Sequence, residues 1–344
     1  MHLLKWSAVA LFGLLSAYLV LQFGTRLLAR RPVLALAFQW TLIACCLLCF
    51  VLLLRSQVHP ILCLSGGLGL ALLVLFFSVT SFFNLRLYNR HGHYDLQQFQ
   101  PFRVTTEDGV EIAGMVSRAG FPRAVVLSHG VADSKAGKQL IATAEVLAKQ
   151  FDVYLFDFRG YSESGGGSTF GTREILDLKA VLDLAERQGY RKVAVIGNSM
   201  GGMVSVMEVA TYRNAQAVVT AGTPASFELM TGLRTSLLRR VINHWLVRAL
   251  YEMGSQVRVA AGFVPIEPYQ SADELSPIPF LVIHGTKDPL VDVSSARRLY
   301  EAAREPKELW IYEGGGHSIS DLGAQFGDEF RLRLRDWLNR QLGQ

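Results

Sequence analysis

The chain has 344 residues, of which 50% are hydrophobic and only 18% charged, and its mean hydropathy is +0.26. Since ordinary soluble proteins carry about 25% charged residues, this composition excludes intrinsic disorder and indicates a membrane-embedded portion. The net charge of +5 belongs to residues 1–100, which hold seven Lys/Arg and one acidic residue, Asp95, whereas the other 244 residues hold 27 Lys/Arg and 28 Asp/Glu. The rest of the chain is therefore nearly neutral, and nucleic-acid binding has no electrostatic footprint.

Three apolar stretches, residues 6–24, 33–54 and 61–83, contain no charged side chain. A helix of about 20 such residues spans the hydrocarbon core of a bilayer, so the pattern predicts a membrane anchor of three transmembrane helices over residues 1–83. A buried bundle of a large protein is the alternative, but uncharged runs of this length disfavour it. The first stretch could also be a signal peptide; its length and the lack of a clear cleavage site favour a retained helix.

The orientation of the anchor follows from the positions of its basic residues. The connector between the first two stretches and the segment after the third carry most of them: Arg26, Arg30, Arg31, Arg86 and Arg90. The positive-inside rule then predicts a multi-pass protein of the cell membrane, with residues 84–101 as a tether and everything after them in the cytoplasm.

All four cysteines, Cys45, Cys46, Cys49 and Cys63, lie within the predicted anchor. The remainder of the chain therefore has no disulfide framework, no thiolate metal site and no cysteine nucleophile. We interpret the four thiols as small membrane-buried hydrophobic groups.

From residue 102 onward the hydrophobic pattern changes to short β-rich runs that alternate with amphipathic helical patterns. Two runs around Glu107-Asp108-Gly109 predict a β-hairpin, because an Asp-Gly pair favours a tight turn. The later runs predict a mostly parallel sheet covered by helices on both faces. They are Ala124–Ser128, Val153–Phe158, Val193–Gly197, Ala217–Ala221, Phe280–His284 and Glu308–Tyr312, with helices at Lys138–Gln150, Arg173–Gln188, Met200–Tyr212, Ser294–Arg304 and Gln325–Leu342.

Ligand sites of such sheets lie at the carboxyl ends of the strands. After the run Val193–Gly197, the G-x-S-x-G stretch from Gly197 to Gly201 places Ser199 between a strand and a helix. The glycines allow a turn that is too sharp for side chains, with the serine hydroxyl exposed at the start of the helix. This context predicts that Ser199 is a nucleophile.

Two further reactive residues follow later strands, Asp288 after Phe280–His284 and His317 after three glycines that follow Tyr312. A serine hydroxyl needs a base, and a carboxylate orients that base, so we predict Ser199, Asp288 and His317 as a catalytic triad. Asp292 competes for the acidic role, but its place before a helix is more typical of a cap.

An oxyanion hole requires two backbone donors. The amide of Met200, directly after the serine, is predicted to be one, and the amide of Val131 in the loop His129-Gly130-Val131 the other. His129 itself is interpreted as structural. Gly137-Lys138 lacks the spacing of a phosphate loop, histidines do not cluster at metal spacing, and the predicted chemistry needs neither a metal nor another cofactor.

These residues resemble the α/β-hydrolase fold superfamily over about Phe102 to Leu342. The stretch from Asp157 to Ser164 is similar to the D-x-R-G-x-G-x-S loop of serine-aminopeptidase-like and lipase-like members, with Ser162 in place of a glycine. The resemblance implies an α/β-hydrolase fold for residues 102–344 and a supporting, non-catalytic role for Arg159. The three-helix anchor lies outside the family's pattern.

Residues 223–279 are longer than a crossover between strands requires and are predicted to form a helical cap. Its amphipathic part, Leu233–Met253, either packs on the sheet or touches anionic lipid. The sequence as a whole predicts a membrane-anchored serine hydrolase that cleaves an ester, thioester or amide of a small molecule or lipid, most typically as an esterase. A serine aminopeptidase of the same fold and a non-catalytic interaction module are the alternatives.

Overall fold

The computed structural model describes residues 98–131, 133–226, 240–241, 243–255, 257–261 and 266–343. All of them belong to the second of two units into which the chain divides, Arg90–Gln344. The three predicted transmembrane helices, 6–24, 33–54 and 61–83, lie outside the described residues. Within the ranges given above, no helix has the length and apolar character needed to cross a bilayer.

Eight strands and six α-helices alternate along the described chain. The strands are β1 Gln100–Thr105, β2 Glu111–Ser117, β3 Arg123–Ser128, β4 Asp152–Phe156, β5 Lys192–Asn198, β6 Ala217–Ala221, β7 Phe280–Gly285 and β8 Lys307–Tyr312. The helices are α1 Lys138–Leu147, α2 Glu174–Arg187, α3 Met200–Tyr212, α4 Trp245–Ser255, α5 Ser294–Ala302 and α6 Ser318–Leu342, and two 3-10 turns, Pro268–Gln270 and Ala272–Leu275, precede β7.

The strands form one sheet in the order β1-β2-β4-β3-β5-β6-β7-β8. β1 and β2 make the predicted hairpin, with Thr105 opposite Glu111 and with Gly109 at φ +80° in the turn. β2 also runs antiparallel to β4, and from β4 to β8 every neighbouring pair is parallel. The predicted mostly parallel sheet is confirmed, and its carboxyl ends bring the loops after β3, β5, β7 and β8 to one edge.

Hydrophobic residues cover both faces of this sheet. Successive strand residues point to opposite faces, so in β3 Val126 packs with the cluster under α2, α3 and α5, while Val125 and Leu127 pack under α1 and α6. Both clusters are almost completely excluded from solvent. The central strands are buried on two faces, which explains why their sequences read as continuous apolar runs and lack polar alternation.

Two elements differ from their predicted bounds for identifiable reasons. β4 ends at Phe156, two residues early, because the Phe158 N–H donates to the ring of His129 (3.1 Å) and so leaves the ladder. Helix α6 begins at Ser318, seven residues before the predicted start, because Ile319 and Leu322 bury a first segment against the sheet. Gly327, at φ +58° and ψ −138°, kinks α6 and interrupts the helical period.

The predicted cap, residues 223–279, is described in part. It contributes α4 and the two 3-10 turns, and its residues 227–239, 242, 256 and 262–265 lie outside the described residues, among them 233–239 and 242 of the amphipathic stretch. Val259 forms an isolated parallel β-bridge with Ser168, and the Tyr269 N–H donates to Ala225 O at 3.1 Å. The first contact joins the insertion to the loop before α2, and the second joins the start of the insertion to its end.

Candidate active site

Ser199 lies in a sharp turn between β5, which ends at Asn198, and α3, which begins at Met200. Its backbone angles, φ 54° and ψ −115°, are unusual for a residue with a side chain and correspond to a strain of about 1–3 kcal/mol. A Cβ atom on Gly197 would lie 2.4 Å from the Cα of Gly202, so the turn closes only with glycine there. The side chain of Ser199 remains partly accessible.

The loop that carries His317 packs beside this turn. The Ser199 N–H donates to Ala221 O at 2.8 Å, and a Cβ atom on the next residue, Gly222, would lie 3.1 Å from Nδ1 of His317. The serine and the histidine, 118 positions apart in the chain, thus meet at the end of β6. Within the described part of the chain no hydrogen bond joins the two side chains, and such bonds are commonly long before a substrate binds.

Asp288 and His317 form a close pair. The Nδ1 atom of His317 lies 2.6 Å from Oδ2 of Asp288, whose side chain is 1% exposed. The other carboxylate oxygen accepts two backbone N–H groups, from Leu290 at 2.8 Å and Val291 at 2.9 Å. Each oxygen of Asp288 therefore has a fixed set of partners, and the imidazole is held with Nε2 as its free nitrogen.

The environment keeps Asp288 ionised. Burial favours the neutral acid, but the hydrogen bond and charge of His317 and the amides of Val291 and Leu290 outweigh it and lower the pKa of Asp288 below its usual value. Asp292 has a different place: its Oδ1 accepts the Ser294 N–H at 2.9 Å at the start of α5. That geometry is a helix cap, as the sequence indicated for Asp292.

A second histidine, which the sequence pattern did not indicate as a site residue, contacts Asp288. His284, at the end of β7, is completely buried, with Nε2 3.0 Å from Val291 O and 3.4 Å from Oδ2 of Asp288. Burial lowers its pKa, so the ring is neutral and its Nε2–H faces these oxygens. Its position four residues before Asp288 could have indicated this contact, but the histidine lies at the end of an apolar run and was assigned to the strand.

The loop after β3 approaches the serine from the other side. A Cβ atom on Gly130 would lie 3.0 Å from Cβ and 3.6 Å from Oγ of Ser199, so a larger residue would crowd the serine and glycine permits the close approach. Val131 follows directly and is half-buried, and Met200 is the first residue of α3. The first amides of a helix lack intrahelical acceptors, so the Met200 N–H is free to bind an anion.

His129 is part of the support of this loop. The ring is fully buried, lies 2.8 Å through Nδ1 from Gly130 O, and accepts the Phe158 N–H at Nε2. Its centroid lies 5.1 Å from that of Phe158 and 4.8 Å from that of Tyr161. Both ring nitrogens are thus engaged, which agrees with the structural role predicted for His129.

Arg159 lies in the interior. Its guanidinium is 2% exposed and contacts Asp108 at 2.6 Å and Asp177 at 2.7 Å. Asp177 also accepts the Arg159 backbone N–H at 2.8 Å. The residue thus ties the β1–β2 turn to α2, in keeping with the supporting role implied by the resemblance.

The described residues contain no group of three His, Cys, Asp or Glu side chains arranged to hold a metal ion. What they do contain is a mostly parallel sheet with helices on both faces, a strained serine between strand and helix, and a histidine–aspartate pair beside it. That combination of sheet and site defines an α/β-hydrolase.

The chain belongs to the alpha/beta hydrolase family, whose model matches residues 125–329. It is 27% identical over 251 residues to the uncharacterized protein YqkD of Bacillus subtilis, covering 67% of this chain and 78% of that protein. It is 26% identical over 250 residues to the human alpha/beta hydrolase domain-containing protein 17B, covering 70% of this chain and 75% of the relative.

Solved structures include similar folds of named activity. An esterase of Pyrococcus furiosus, Pf2001, superimposes with a TM-score of 0.61 and 25% sequence identity, over 73% of this chain and 98% of the esterase. A Rhodococcus esterase, RhEst1, has the same fold at 20% identity and a TM-score of 0.52. The family and these neighbours support a hydrolase with an esterase-like fold.

Proposed function

We propose that this chain is a serine hydrolase that cleaves carboxylic esters through an acyl-enzyme on Ser199. The observation that carries the proposal is the buried Asp288–His317 pair, 2.6 Å apart, beside a serine held at positive φ. A neutral imidazole oriented by a carboxylate is the base that an unreactive serine hydroxyl requires. An interaction module would have no need of this arrangement.

The proposed reaction runs in two halves. Ser199 Oγ attacks the ester carbonyl while His317 Nε2 takes its proton, and Asp288 stabilises the resulting imidazolium. The carbonyl oxygen becomes an oxyanion, which the amides of Met200 and Val131 bind. The C–O bond to the alcohol then breaks, and the alcohol leaves with the proton from His317. Water attacks the acyl-enzyme by the same route and releases the carboxylic acid and the free serine.

We propose an ester of a small molecule or lipid as the substrate. The likeness to the Pyrococcus esterase supports an ester over an amide. A thioester has the same acyl carbon and is compatible with the same steps. The site as proposed uses only side chains and backbone amides, with no cofactor.

The nucleophile is tested with a fluorophosphonate probe, which labels serines activated by a histidine. The full-length protein in detergent is expected to be labelled once, at the peptide that contains Ser199, and Ser199→Ala is expected to abolish the label. Ser205→Ala is the matched control, because Ser205 is a buried serine of α3, the helix that follows Ser199, with its hydroxyl 2.7 Å from Gly201 O; this variant should remain fully labelled. An unlabelled wild-type protein, or a label that survives Ser199→Ala, contradicts the proposal.

The same preparation separates the two candidate activities. Short- and long-chain p-nitrophenyl esters are compared with aminoacyl anilides, each against Ser199→Ala. Faster hydrolysis of the esters is the expected result. Hydrolysis of the anilides alone would identify an aminopeptidase.

We also propose that residues 6–24, 33–54 and 61–83 anchor the protein in the cell membrane and leave the hydrolase domain in the cytoplasm. The uncharged runs and the excess of arginines after the first and third stretches support this. A carboxyl-terminal reporter that works only in the cytoplasm should be active, and the protein should not be extracted from membranes at high pH. Activity of a carboxyl-terminal reporter that works only outside the cytoplasm would contradict the proposed topology.

A further inference from the structure

Asn198, the residue before the nucleophile, connects the serine turn to the histidine loop. Its side chain is 3% exposed, and its Oδ1 accepts the backbone N–H of Ile319 at 2.9 Å. The two residues are 121 positions apart. Ile319 comes two residues after His317, so this is a direct tertiary bond between the two elements that carry the proposed nucleophile and base.

The Ile319 N–H bonds to a side chain because the N–H groups at the start of α6 have few other acceptors. The first amides of a helix have no intrahelical acceptor, and the residue at the cap position, His317, makes no side-chain capping bond. Asp321 accepts the His317 N–H at 2.8 Å from within α6 itself, which orders the turn locally. Asn198 provides a tie from the sheet, and a local bond cannot replace it in placing α6 relative to Ser199.

The backbone is strained next to this hydrogen bond, so the bond helps to hold the conformation of the histidine loop. Ser318, between His317 and Ile319, has φ +71°, a left-handed conformation that a serine holds only when its surroundings impose it. On one side Gly222 packs so closely that a Cβ atom there would lie 2.7 Å from the Ser318 N atom. On the other side, the bond from Asn198 fixes the next peptide.

We propose that Asn198 is a positioning residue that sets the distance between Ser199 Oγ and the imidazole of His317. The inference rests on the proposed function, since it concerns how the base reaches the nucleophile. Asn198 does not contact the reacting atoms through its side chain. Its backbone continues into the strained turn of Ser199, so one residue fixes both partners.

The test compares Asn198→Ala with wild type in the full-length protein, using p-nitrophenyl ester hydrolysis and the rate of fluorophosphonate labelling. A displacement of about 1 Å between reacting groups costs on the order of 10²-fold in rate. We expect kcat and the labelling rate to fall by about 10- to 100-fold, with KM within about twofold of wild type. Asn214→Ala is the matched control: it deletes the same atoms and unpairs the buried Glu208, and should leave kcat within about twofold.

Asn198→Asp keeps an oxygen at the same position, so recovery of activity in this conservative variant is the readout that tests the hydrogen bond to Ile319. The Ile319 N–H retains its acceptor, so most of the activity should return above pH 8. The added negative charge favours the protonated imidazole, and the acid limb of the kcat/KM profile should move to higher pH.

Two results overturn the inference: Asn198→Ala with wild-type kcat, or equal losses in Asn198→Ala and Asn198→Asp with an unmoved pH profile. Failure of the proposed function would show in the wild-type protein, which would neither hydrolyse esters nor be labelled. Failure of the positioning role shows only in the comparison of the variants with an active wild type. Thermal unfolding of each variant identifies a loss that arises from misfolding, and Asn198→Asp then decides the question.

Discussion

Replacing Asp288 by asparagine is expected to lower kcat for ester hydrolysis about 10⁴-fold in a protein that still folds. The carboxylate accepts two amide N–H groups at Oδ1, from Leu290 and Val291, and the His317 ring at Oδ2. An asparagine must direct its only oxygen toward the two amides. Its NH₂ group then faces His317 Nδ1, which can no longer be a donor, and the imidazole adopts the tautomer with a proton on Nε2. That tautomer cannot take a proton from Ser199.

The measurement is a full pH–rate profile of Asp288→Asn beside Asp292→Asn. Asp292 lies four residues after Asp288, and its Oδ1 accepts the Ser294 N–H. Asparagine has an oxygen that can accept the same bond, so Asp292→Asn removes only the negative charge. Asp292→Asn should therefore stay within about threefold of wild-type kcat. Comparable losses in both variants would show that Asp288 does not orient the base.

Arg159→Met is expected to destabilise the fold by about 3–5 kcal/mol without changing the turnover of the molecules that remain folded. The substitution leaves Asp177, which has no exposed surface, without its guanidinium partner. Burial raises the pKa of Asp177 to about 7 even with Arg159 in place, so without the guanidinium the carboxyl group is either an unpaired buried charge or a neutral acid that has lost the guanidinium hydrogen bonds, and both states are costly. Denaturant unfolding measures the loss, and the rate of ester hydrolysis per labelled active site measures the turnover.

A matched control for Arg159→Met is Arg191→Met. Arg191 is paired with Glu186, but both side chains are mostly exposed, so its loss should leave the unfolding midpoint unchanged. The difference in free energy of unfolding between wild type and Arg159→Met should also decrease at acidic pH. Burial raises the pKa of Asp177 to about 7, so its ion pair with Arg159 is present above that pH and weakens as the pH falls through 7. The Arg159 hydrogen bonds lower the pKa of Asp108 from about 3.8 to about 2, so the Asp108 contribution persists to lower pH and disappears as the pH falls from 3.8 toward 2. If that difference is constant with pH, or if Arg159→Met loses no more stability than Arg191→Met, the buried ion pairs of Arg159 do not stabilise the fold.

The sheet was predictable because its strands are short, apolar and separated by helices with a clear period. The hairpin around Asp108-Gly109 and the strands that end at Ser128, Ala221 and Tyr312 lie where the pattern placed them. The order of the strands and the early start of α6 were not predictable. The order depends on tertiary crossovers, and the apolar residues that begin α6 are separated from the rest of the helix by Gly323 and the kinked Gly327.

For the candidate site, the sequence identified the residues whose type and place after a strand are distinctive: Ser199, Asp288 and His317. It did not identify His284 or Asn198. His284 has the appearance of a strand end, and in the G-x-S-x-G pattern the position of Asn198 accepts any residue. Both act through contacts that exist only in the folded chain, in the case of Asn198 with a peptide 121 residues away.

The positive φ of Ser199 has a consequence for engineering. Glycine adopts that conformation without a steric penalty, so Ser199→Gly relieves local strain while it removes the hydroxyl. Stability and reactivity therefore oppose each other at this one position. Selection for heat resistance alone would favour loss of the nucleophile, so a thermostable and active version of this protein has to keep Ser199 and gain its stability at other positions.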